Sequence, residues 1–205
     1  MSLPSRLLGA NPSIQVSTLL SGSLSTPSAK SAFVPAESFD SIATATASGG
    51  ESSFTFSSIP STYKHLQVRY KAQRNAGGAG FMSLRLNGVT TTGNYTLHDL
   101  YGTGSATGSS GLTSSSYPEA RGPQMPADST ANTFGNCVCD IHDYSSTTKN
   151  KTIRWFGGWD NNGSGHISLV SNVFLSTAAV SSLTIYFAGD AVSAGSTFAL
   201  YGIRG

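Results

Sequence analysis

Hydrophobic and polar residues alternate along most of this chain from Ser38 onward, in short runs separated by Gly, Ser, Thr and Asn. A period of two places successive side chains on opposite faces, so this pattern predicts half-buried β-strands. The clearest run is 63–74, YKHLQVRYKAQR. One face of that strand is expected to be buried and the other to meet water or a partner. The expected buried face carries Leu66, Val68, Tyr70 and Ala72, and the other face carries His65, Gln67, Arg69 and Lys71.

Other alternating runs predict further strands. Residues 39–47 and 51–58 flank Gly49-Gly50, and we expect them to form a hairpin. The run 81–86 stops at Asn87-Gly88, which predicts a turn of the primed type. Apolar residues mark strands at 134–142 (Cys137, Cys139, Ile141), 151–157 (Ile153, Trp155), 165–176 (Ile167, Leu169, Val173, Leu175), 182–188 (Leu183, Ile185, Phe187) and 196–203.

The strand count and spacing define the expected fold class. About eight or nine short strands with no credible helix predict an all-β protein, an antiparallel β-sandwich or jelly roll. Residues 102–130 interrupt the pattern with Gly, Ser and Pro, and we expect a long flexible loop there. A loop of that length in a compact β domain is usually functional or disordered.

The first 36 residues differ from the rest, because they contain four prolines, many Ser and Thr, and only two charges. This composition predicts an extended arm over 1–36, followed by the sandwich domain over 37–205. Two leucine pairs on the arm would gain nothing in a solvated linker, so we expect the arm to dock on a neighbouring chain. A floppy tail is the alternative. The candidate anchoring residues are Leu7, Leu8, Leu19 and Leu20.

The composition points to assembly. Only 11% of the residues are charged, against roughly 25% in an ordinary soluble domain. The net charge of +2 is too small to argue for binding to nucleic acid or to an anionic membrane. No apolar run approaches the roughly 18 residues of a membrane helix. The amino terminus has no clear signal peptide, so we expect the protein to be made in a cytoplasm.

Candidate catalytic residues form no recognisable set. No serine lies in a G-x-S-x-G elbow, and the histidines at 65, 98, 142 and 166 have the alternating neighbours of strand residues. Asp140 and His142 have the spacing of an acid–base pair, although a surface hydrogen bond at a strand end explains them equally well. We therefore predict that the protein is not an enzyme and needs no cofactor.

Two segments raise the question of a metal. The sulfurs of Cys137-Val138-Cys139 are too close in sequence for the usual zinc pair, so we expect both cysteines to be buried and reduced. The loop DNNGSG (160–165) matches the opening of a calcium loop, but Ser171 stands where the last glutamate ligand belongs. An ordinary Asn-Gly hairpin turn is the alternative.

Two places are candidate partner contacts. Arg69 and Lys71 put positive charge on the polar face of the 63–74 strand, which we expect to be solvated or to face another subunit. Neighbouring tyrosines could suggest nucleic acid, but Tyr70 falls on the apolar face. The aromatic segment 155–159, WFGGW, could form a recognition surface with the 102–130 loop. Alternatively, its first tryptophan is a core residue and Trp159 covers a hairpin.

Several segments resemble small structural proteins of tailed bacteriophages, and together they span residues 54–203. They are FTFSSIPSTYKHLQVRYKAQ (54–73), LRLNG (84–88), DYSSTTKNKT (143–152) and SLTIYFAGDAVSAGSTFALYGI (182–203). The resemblance implies a non-catalytic virion component with a β-sandwich fold and a homotrimeric state. Its expected partners are copies of itself and the major capsid protein or another virion protein, with no nucleic acid and no membrane. Its expected location is the virion, assembled in the host cytoplasm.

The virion role is expected to be head decoration. A tail fibre normally has a coiled-coil or repetitive shaft, and this sequence has neither. A compact domain with an arm that lies across capsomer joints fits a cement protein. The alternative is a tail or tail-fibre protein that binds a host receptor.

Overall fold

The computed structural model describes residues 38–113, 117–127 and 132–204. Over these residues the chain has fourteen strands and no helix. In chain order the strands are Phe39–Thr46 (β1), Ser53–Phe56 (β2), His65–Ala72 (β3), Arg74–Asn75 (β4), Gly80–Leu86 (β5), Leu97–Gly102 (β6), Thr107–Leu112 (β7), Ala120–Met125 (β8), Gly135–Ile141 (β9), Lys151–Asp160 (β10), Gly165–Phe174 (β11), Leu183–Phe187 (β12), Ala191–Val192 (β13) and Thr197–Ile203 (β14). The arm predicted over 1–36 lies outside the described residues.

Antiparallel pairing joins these strands into three sheets. The large sheet has the order β1-β14-β3-β9-β10-β11-β6-β7, the small sheet has the order β2-β12-β5-β8, and β13 pairs with β4. The small sheet packs on the inner face of the large one, with β8 against β10 and β11. The predicted all-β antiparallel sandwich is confirmed. It has more strands than expected, partly because β4 and β13 are only two residues long.

Strand β3 shows how the sequence pattern produces this packing. Leu66, Val68 and Ala72 are fully buried on its inner face, and Tyr70 beside them is almost so. The predicted alternation is therefore confirmed in this strand except at Gln67, which is on the outer face but is also buried. The primed turn after β5 is also confirmed, because Asn87 and Gly88 have φ values of 51° and 66°.

The hairpin predicted around Gly49-Gly50 is wrong. Strand β1 pairs with β14 in the large sheet, whereas β2 pairs with β12 in the small sheet. The two glycines have φ values of 104° and 96° and carry the chain from one sheet to the other. The Glu51 carboxylate accepts hydrogen bonds from the Ser48 and Gly49 amides, which fixes this crossing.

The long flexible loop predicted over 102–130 is also wrong. Strand β7 forms a hairpin with β6 at the edge of the large sheet, and β8 pairs with β5 at the edge of the small sheet. Ser and Gly dominate β7, so its alternation carries no hydrophobic signal. Strand β7 is held by backbone pairing to β6, although most of its side chains are exposed. This pairing overrides the low β-propensity of its glycines.

The core is centred on Trp155 of β10, which is fully buried. Its ring lies on Gly122 of β8, where an added Cβ would come within 2.7 Å of the ring. Its Nε1 donates a hydrogen bond to Asn172 Oδ1 of β11 at 2.7 Å. A glycine at 122 therefore lets the two sheets approach closely, and the indole still keeps a polar partner.

A buried lysine organises the connections at one end of the sandwich. Lys151 is 0% exposed, and its Nζ donates hydrogen bonds to the carbonyl oxygens of Ser146, Lys149 and Thr177 at 2.7, 2.6 and 3.1 Å. Burial lowers the pKa of this ammonium group, and the nearby Asp143 carboxylate opposes that shift. The carbonyls come from the segments that follow β9 and β11, so one side chain ties both segments to β10.

Candidate functional site

The outer face of the large sheet, turned away from the small sheet, carries exposed hydrophobic side chains. Strand β11 shows this most clearly, because its residues alternate between the core and solvent. Its inward side chains include the buried polar residues His166, Ser168 and Asn172, whereas Ile167 and Leu169 point outward. Most of the apolar residues that marked this strand in the sequence therefore lie outside the core.

The strand register places such side chains next to one another. Leu169 of β11 stands opposite Leu100 of β6 and opposite Phe156 of β10. Phe156 in turn stands opposite Val138 of β9. Ile167 lies two residues before Leu169 and so shares its face. We call these five side chains the apolar stripe: Leu100, Val138, Phe156, Ile167 and Leu169.

The apolar stripe is a contiguous patch. Its members are 38–60% exposed, and they are five of the seven large hydrophobic side chains that are exposed in the described part of the chain. Single exposed hydrophobic residues are ordinary, but contiguous patches usually mark contact surfaces. The stripe is therefore the strongest candidate functional site among the described residues.

Arg69 borders the stripe, because β3 pairs it with Val138 of β9. Its guanidinium lies 5.2 Å from the ring centre of Phe39 and 5.1 Å from that of Tyr201. Its Nε also donates to Gln67 Oε1 at 2.6 Å, and the Gln67 amide donates to Asp140 at 2.7 Å. Contacts within the chain thus fix this cation in place at the edge of the stripe.

Lys71 lies one row further along the same face of β3. Its ammonium stands 4.8 Å from the ring centre of Phe134. Of the residues predicted to contact a partner, the structure thus brings Arg69 and Lys71 together beside the stripe. The four candidates on the arm, Leu7, Leu8, Leu19 and Leu20, lie outside the described residues.

Two open grooves flank the centre of the stripe. One, of about 700 Å³, extends from Phe156 past Val138 and Arg69 to the small side chains of Thr44 and Ala199. The other, of about 550 Å³, lies between Leu169 and the residues Ser109 and Gly111 of β7. Phe156 and Leu169 therefore lie between two shallow, open grooves of the outer face.

Trp159 is not part of this surface. It lies on the inner side of β10, paired in register with His166 of β11. Its Nε1 is buried and has no hydrogen-bond partner within the described residues. Of the three aromatic residues in segment 155–159, Phe156 alone is exposed on the outer face, because Trp155 is a core residue and Trp159 is half-buried.

Trp159 belongs to a group of inward polar side chains behind the stripe. We call this group the buried polar cluster: Asp99, Trp159, His166 and Ser168. Each has a buried polar atom without a hydrogen-bond partner in the described residues. Burial lowers the pKa of His166, and burial raises the pKa of Asp99. No hydrogen bond joins Ser168, His166 and Asp99 there, so these three side chains do not form a proton relay.

The Asp140 and His142 side chains have separate partners. Asp140 accepts the hydrogen bond from Gln67, whereas His142 stands edge-on to His65 with ring centres 4.8 Å apart. Burial lowers the pKa of His65, and His142 adds to that shift. Asp140 therefore has a part-buried hydrogen bond to the buried Gln67, on the neighbouring strand β3.

The two cysteines are buried and unpaired, as the sequence predicts. Burial raises the pKa of the Cys137 thiol to about 12 and raises that of Cys139 well above its usual range. Both sulfurs thus behave as small apolar core groups. Among the described residues, no three His, Cys, Asp or Glu side chains gather as metal ligands.

The loop at 160–165 closes the hairpin between β10 and β11. Asp160 Oδ1 accepts a hydrogen bond from the Asn162 amide at 2.9 Å, and Asn162 and Gly163 have φ values of 45° and 113°. Local hydrogen bonding and positive φ values account for this composition. The hairpin alternative therefore fits this segment.

No protein-family model matches the chain, and neither a curated protein sequence nor a solved structure matches it. In the described ranges, no helix is long and apolar enough to cross a membrane.

Sequence reasoning missed the apolar stripe, although one signal was present. Trp155 and Phe156 are consecutive in a strand, so they must point to opposite faces. A sandwich covers only one face of each sheet, and one of these two large side chains therefore had to face outward. The buried polar cluster has no such signal, because His166 and Ser168 look like the polar face of an ordinary strand.

Proposed function

We propose that the protein is a non-enzymatic structural component of a tailed-phage virion, in which it acts as a head-decoration protein that binds and stabilises the capsid. The observation that carries this proposal is the apolar stripe on the large sheet. Four of its side chains lie in one row across four neighbouring strands. A contiguous exposed apolar surface is typical of a protein that functions in contact with other protein chains.

The low charge of the chain supports the same function. Charged side chains are depleted at the centres of protein–protein interfaces. Only 11% of the residues are charged here, and none of the stripe residues is. The resemblance of several segments to phage structural proteins supports a virion as the assembly to which the protein belongs.

The stabilising mechanism follows from linkage. A protein that binds the assembled shell and not its free subunits shifts the equilibrium toward the shell. The arm over 1–36 supplies the attachment in this proposal, through Leu7, Leu8, Leu19 and Leu20. A segment that becomes ordered on binding can cover a large surface, at an entropic cost.

Co-sedimentation with shells that lack the protein tests the attachment. The full-length chain should pellet with the shells, and a full-length variant with all four arm leucines changed to Ser should bind at least tenfold more weakly. A matched control changes four arm serines, Ser2, Ser5, Ser17 and Ser21, to Ala and should bind like the natural chain. If the leucine variant bound shells as tightly as the natural chain, the anchoring role of the arm would be contradicted.

Cryo-electron microscopy of the intact particle tests the location. Density for this domain on the outer capsid lattice is the expected result. Density confined to the tail would overturn head decoration and favour the tail alternative.

A further inference from the structure

We propose that β7, at the edge of the large sheet, is the docking site for an extended segment of another protein, which adds to the sheet as a further strand. The inference rests on the proposed assembly function and deepens it, because it names the kind of partner segment that the domain binds. Three features of β7 carry it: a free backbone edge, the lack of any protection of that edge, and small side chains beside the apolar stripe.

The backbone of β7 is paired on one side only. Strand β6 pairs with each of its residues, and no described residue pairs with its other side. The Thr103 amide donates to the Ala106 carbonyl at 2.9 Å, so these two residues form a hydrogen-bonded pair at the end of the hairpin. Such pairs alternate with pairs that are not hydrogen-bonded, which turns the N–H and C=O groups of Thr107, Ser109 and Gly111 away from β6. An added strand would pair with this row of backbone groups.

The other edge strands of the large and small sheets are protected, whereas β7 is not. A charge, a proline, irregular pairing or a very short strand keeps other chains from adding to an edge. Strand β1 has a register shift between Ser41 and Ala43, β2 is only four residues long, and β8 contains Arg121 and Pro123. Strand β7 is uncharged, contains no proline and pairs regularly over its whole length. It is therefore the edge at which an extended segment can add most easily.

The two glycines of β7 bring side chains of β6 to the edge. The Tyr101 side chain lies over Gly108, where an added Cβ would come within 2.6 Å of Tyr101 Oη. The His98 side chain lies over Gly111 in the same way, with Cδ2 at 3.3 Å from an added Cβ. Both rings of β6 thus extend across β7, where an added strand can contact them.

The apolar stripe continues toward the same edge. Leu169 stands opposite Leu100, and Leu100 stands opposite Ser109 of β7. The groove of about 550 Å³ lies at this row and also reaches the polar residues His98 and Arg154. A large apolar side chain next to Ser109 on an added strand can cover the small serine and contact Leu100. The partner segment is therefore extended, with apolar residues at alternate positions on the face that it shares with the stripe.

This pattern points to another protein and not to β7 of a second copy. Two β7 strands paired edge to edge would place only Thr107, Ser109 and Gly111 of each copy on the outer face, and Leu100 would stay uncovered. The described strands already pair within the sheets of their own chain, so they offer no free extended segment.

Peptide binding tests the proposal without shells, so its failure is distinct from failure of the decoration proposal. The probe is the synthetic peptide KTVTFTVTK, which alternates Thr with Val and Phe and is kept soluble by its lysines. Isothermal titration calorimetry with the full-length chain should show saturable binding below about 1 mM. The control peptide KTVPFPVTK keeps the three apolar side chains, but its prolines remove backbone N–H groups, so it should bind at least tenfold more weakly.

Two variants at one position locate the contact. Ser109→Pro removes an outward N–H and no hydrogen bond to β6, so the domain should fold and should bind KTVTFTVTK at least tenfold more weakly. Ser109→Ala keeps the N–H and should bind like the natural chain. Circular dichroism and thermal melting check that both variants are folded.

Amide hydrogen exchange, followed by NMR, gives a second readout that needs no variant. The Thr107, Ser109 and Gly111 amides should exchange quickly in the free chain and at least tenfold more slowly with KTVTFTVTK bound. The Ser110 amide faces β6, so it should be protected in both states.

Three results would overturn the inference. One is the absence of saturable binding, and another is equal binding by the folded Ser109→Pro variant. The third is slow exchange of the Thr107, Ser109 and Gly111 amides already in the free chain, which would show that a second copy or another segment of this chain holds the edge.

Discussion

The two faces of strand β11 carry an unusual distribution of polar and apolar side chains. The inner face of β11 buries the polar side chains His166, Ser168 and Asn172, whereas its outer face exposes Ile167 and Leu169. In an ordinary half-buried strand the apolar side faces the core and the polar side faces water. Part of β11 shows the reverse arrangement. This strand lies between β10 and β6, which also expose hydrophobic side chains on the outer face.

The inversion separates the residues that hold the fold from those available to a partner. Asn172 is buried but satisfied, since it accepts from Trp155 and donates to the Thr96 carbonyl. The outward hydrophobic side chains contribute less to the stability of a single chain than the core residues do, because they are 38–60% exposed. Contiguous exposed hydrophobic side chains of this kind usually mark contact surfaces.

The largest test of this contrast compares two neighbouring residues of β10. Trp155→Ala should lower the free energy of unfolding by about 3–5 kcal/mol, because it empties the centre of the core. Phe156→Ala should change it by no more than about 0.5 kcal/mol, because that ring is mostly exposed. Both free energies of unfolding are measured by urea denaturation under the same conditions. Similar losses in the two variants would show that Phe156 also supports the monomer.

A smaller effect is expected for neighbouring polar residues of β11. Asn172→Ala should cost about 1–3 kcal/mol, because it leaves the Trp155 Nε1 and the Thr96 carbonyl without their buried partner. Ser171→Ala, on the exposed face, is the matched control and should stay within about 0.5 kcal/mol. Denaturant midpoints measured under the same conditions check both values. An unchanged midpoint for Asn172→Ala would mean that water replaces the lost amide.

The smallest effect is a pH dependence of stability from His166. Burial lowers its pKa from the ordinary value of 6.5, and the Asp99 carboxylate opposes that shift. Between its folded and unfolded pKa values, the unfolded chain binds more protons, so stability should fall as the pH drops below about 6.5. His65 shifts in the same direction, so His166→Asn should remove only part of this loss.

Denaturant midpoints at pH 8 and pH 5.5 measure the contribution of His166. The exposed His98 offers a control, and His98→Asn should retain the slope of the natural chain. Burial raises the pKa of Asp99, so this carboxyl binds its proton more readily in the folded chain. Its contribution to stability therefore rises as the pH falls, which opposes the effect of His166. An unchanged slope in His166→Asn would show that this side chain takes up its proton equally well in the folded state.

Sequence alternation predicted the buried residues correctly in strands whose apolar side faces the small sheet. The four apolar residues of β3 and the two cysteines of β9 are core residues, as their spacing predicts. Pairing partners could not be predicted from local pattern. Gly49 and Gly50 provide the backbone freedom of a turn, but whether the chain then joins the same sheet depends on distant strands β12 and β14.

The outer surface was harder to predict for a different reason. Alternation assigns residues to faces, but it does not say which face the second sheet covers. In β11 the apolar side has more hydrophobic residues than the buried side, so composition alone points to the wrong face. Strand β7 was missed because its Ser and Gly residues have no alternation to detect.

The buried ammonium group of Lys151 gives one corner of the domain an internal counterpart of a bound ion. Three carbonyl oxygens, from Ser146, Lys149 and Thr177, converge within 3.1 Å of it. Such a ring of oxygens resembles the coordination of a sodium or potassium ion. Here the cation is covalently part of the chain, so neither a chelator nor dilution into a salt-free medium can remove it.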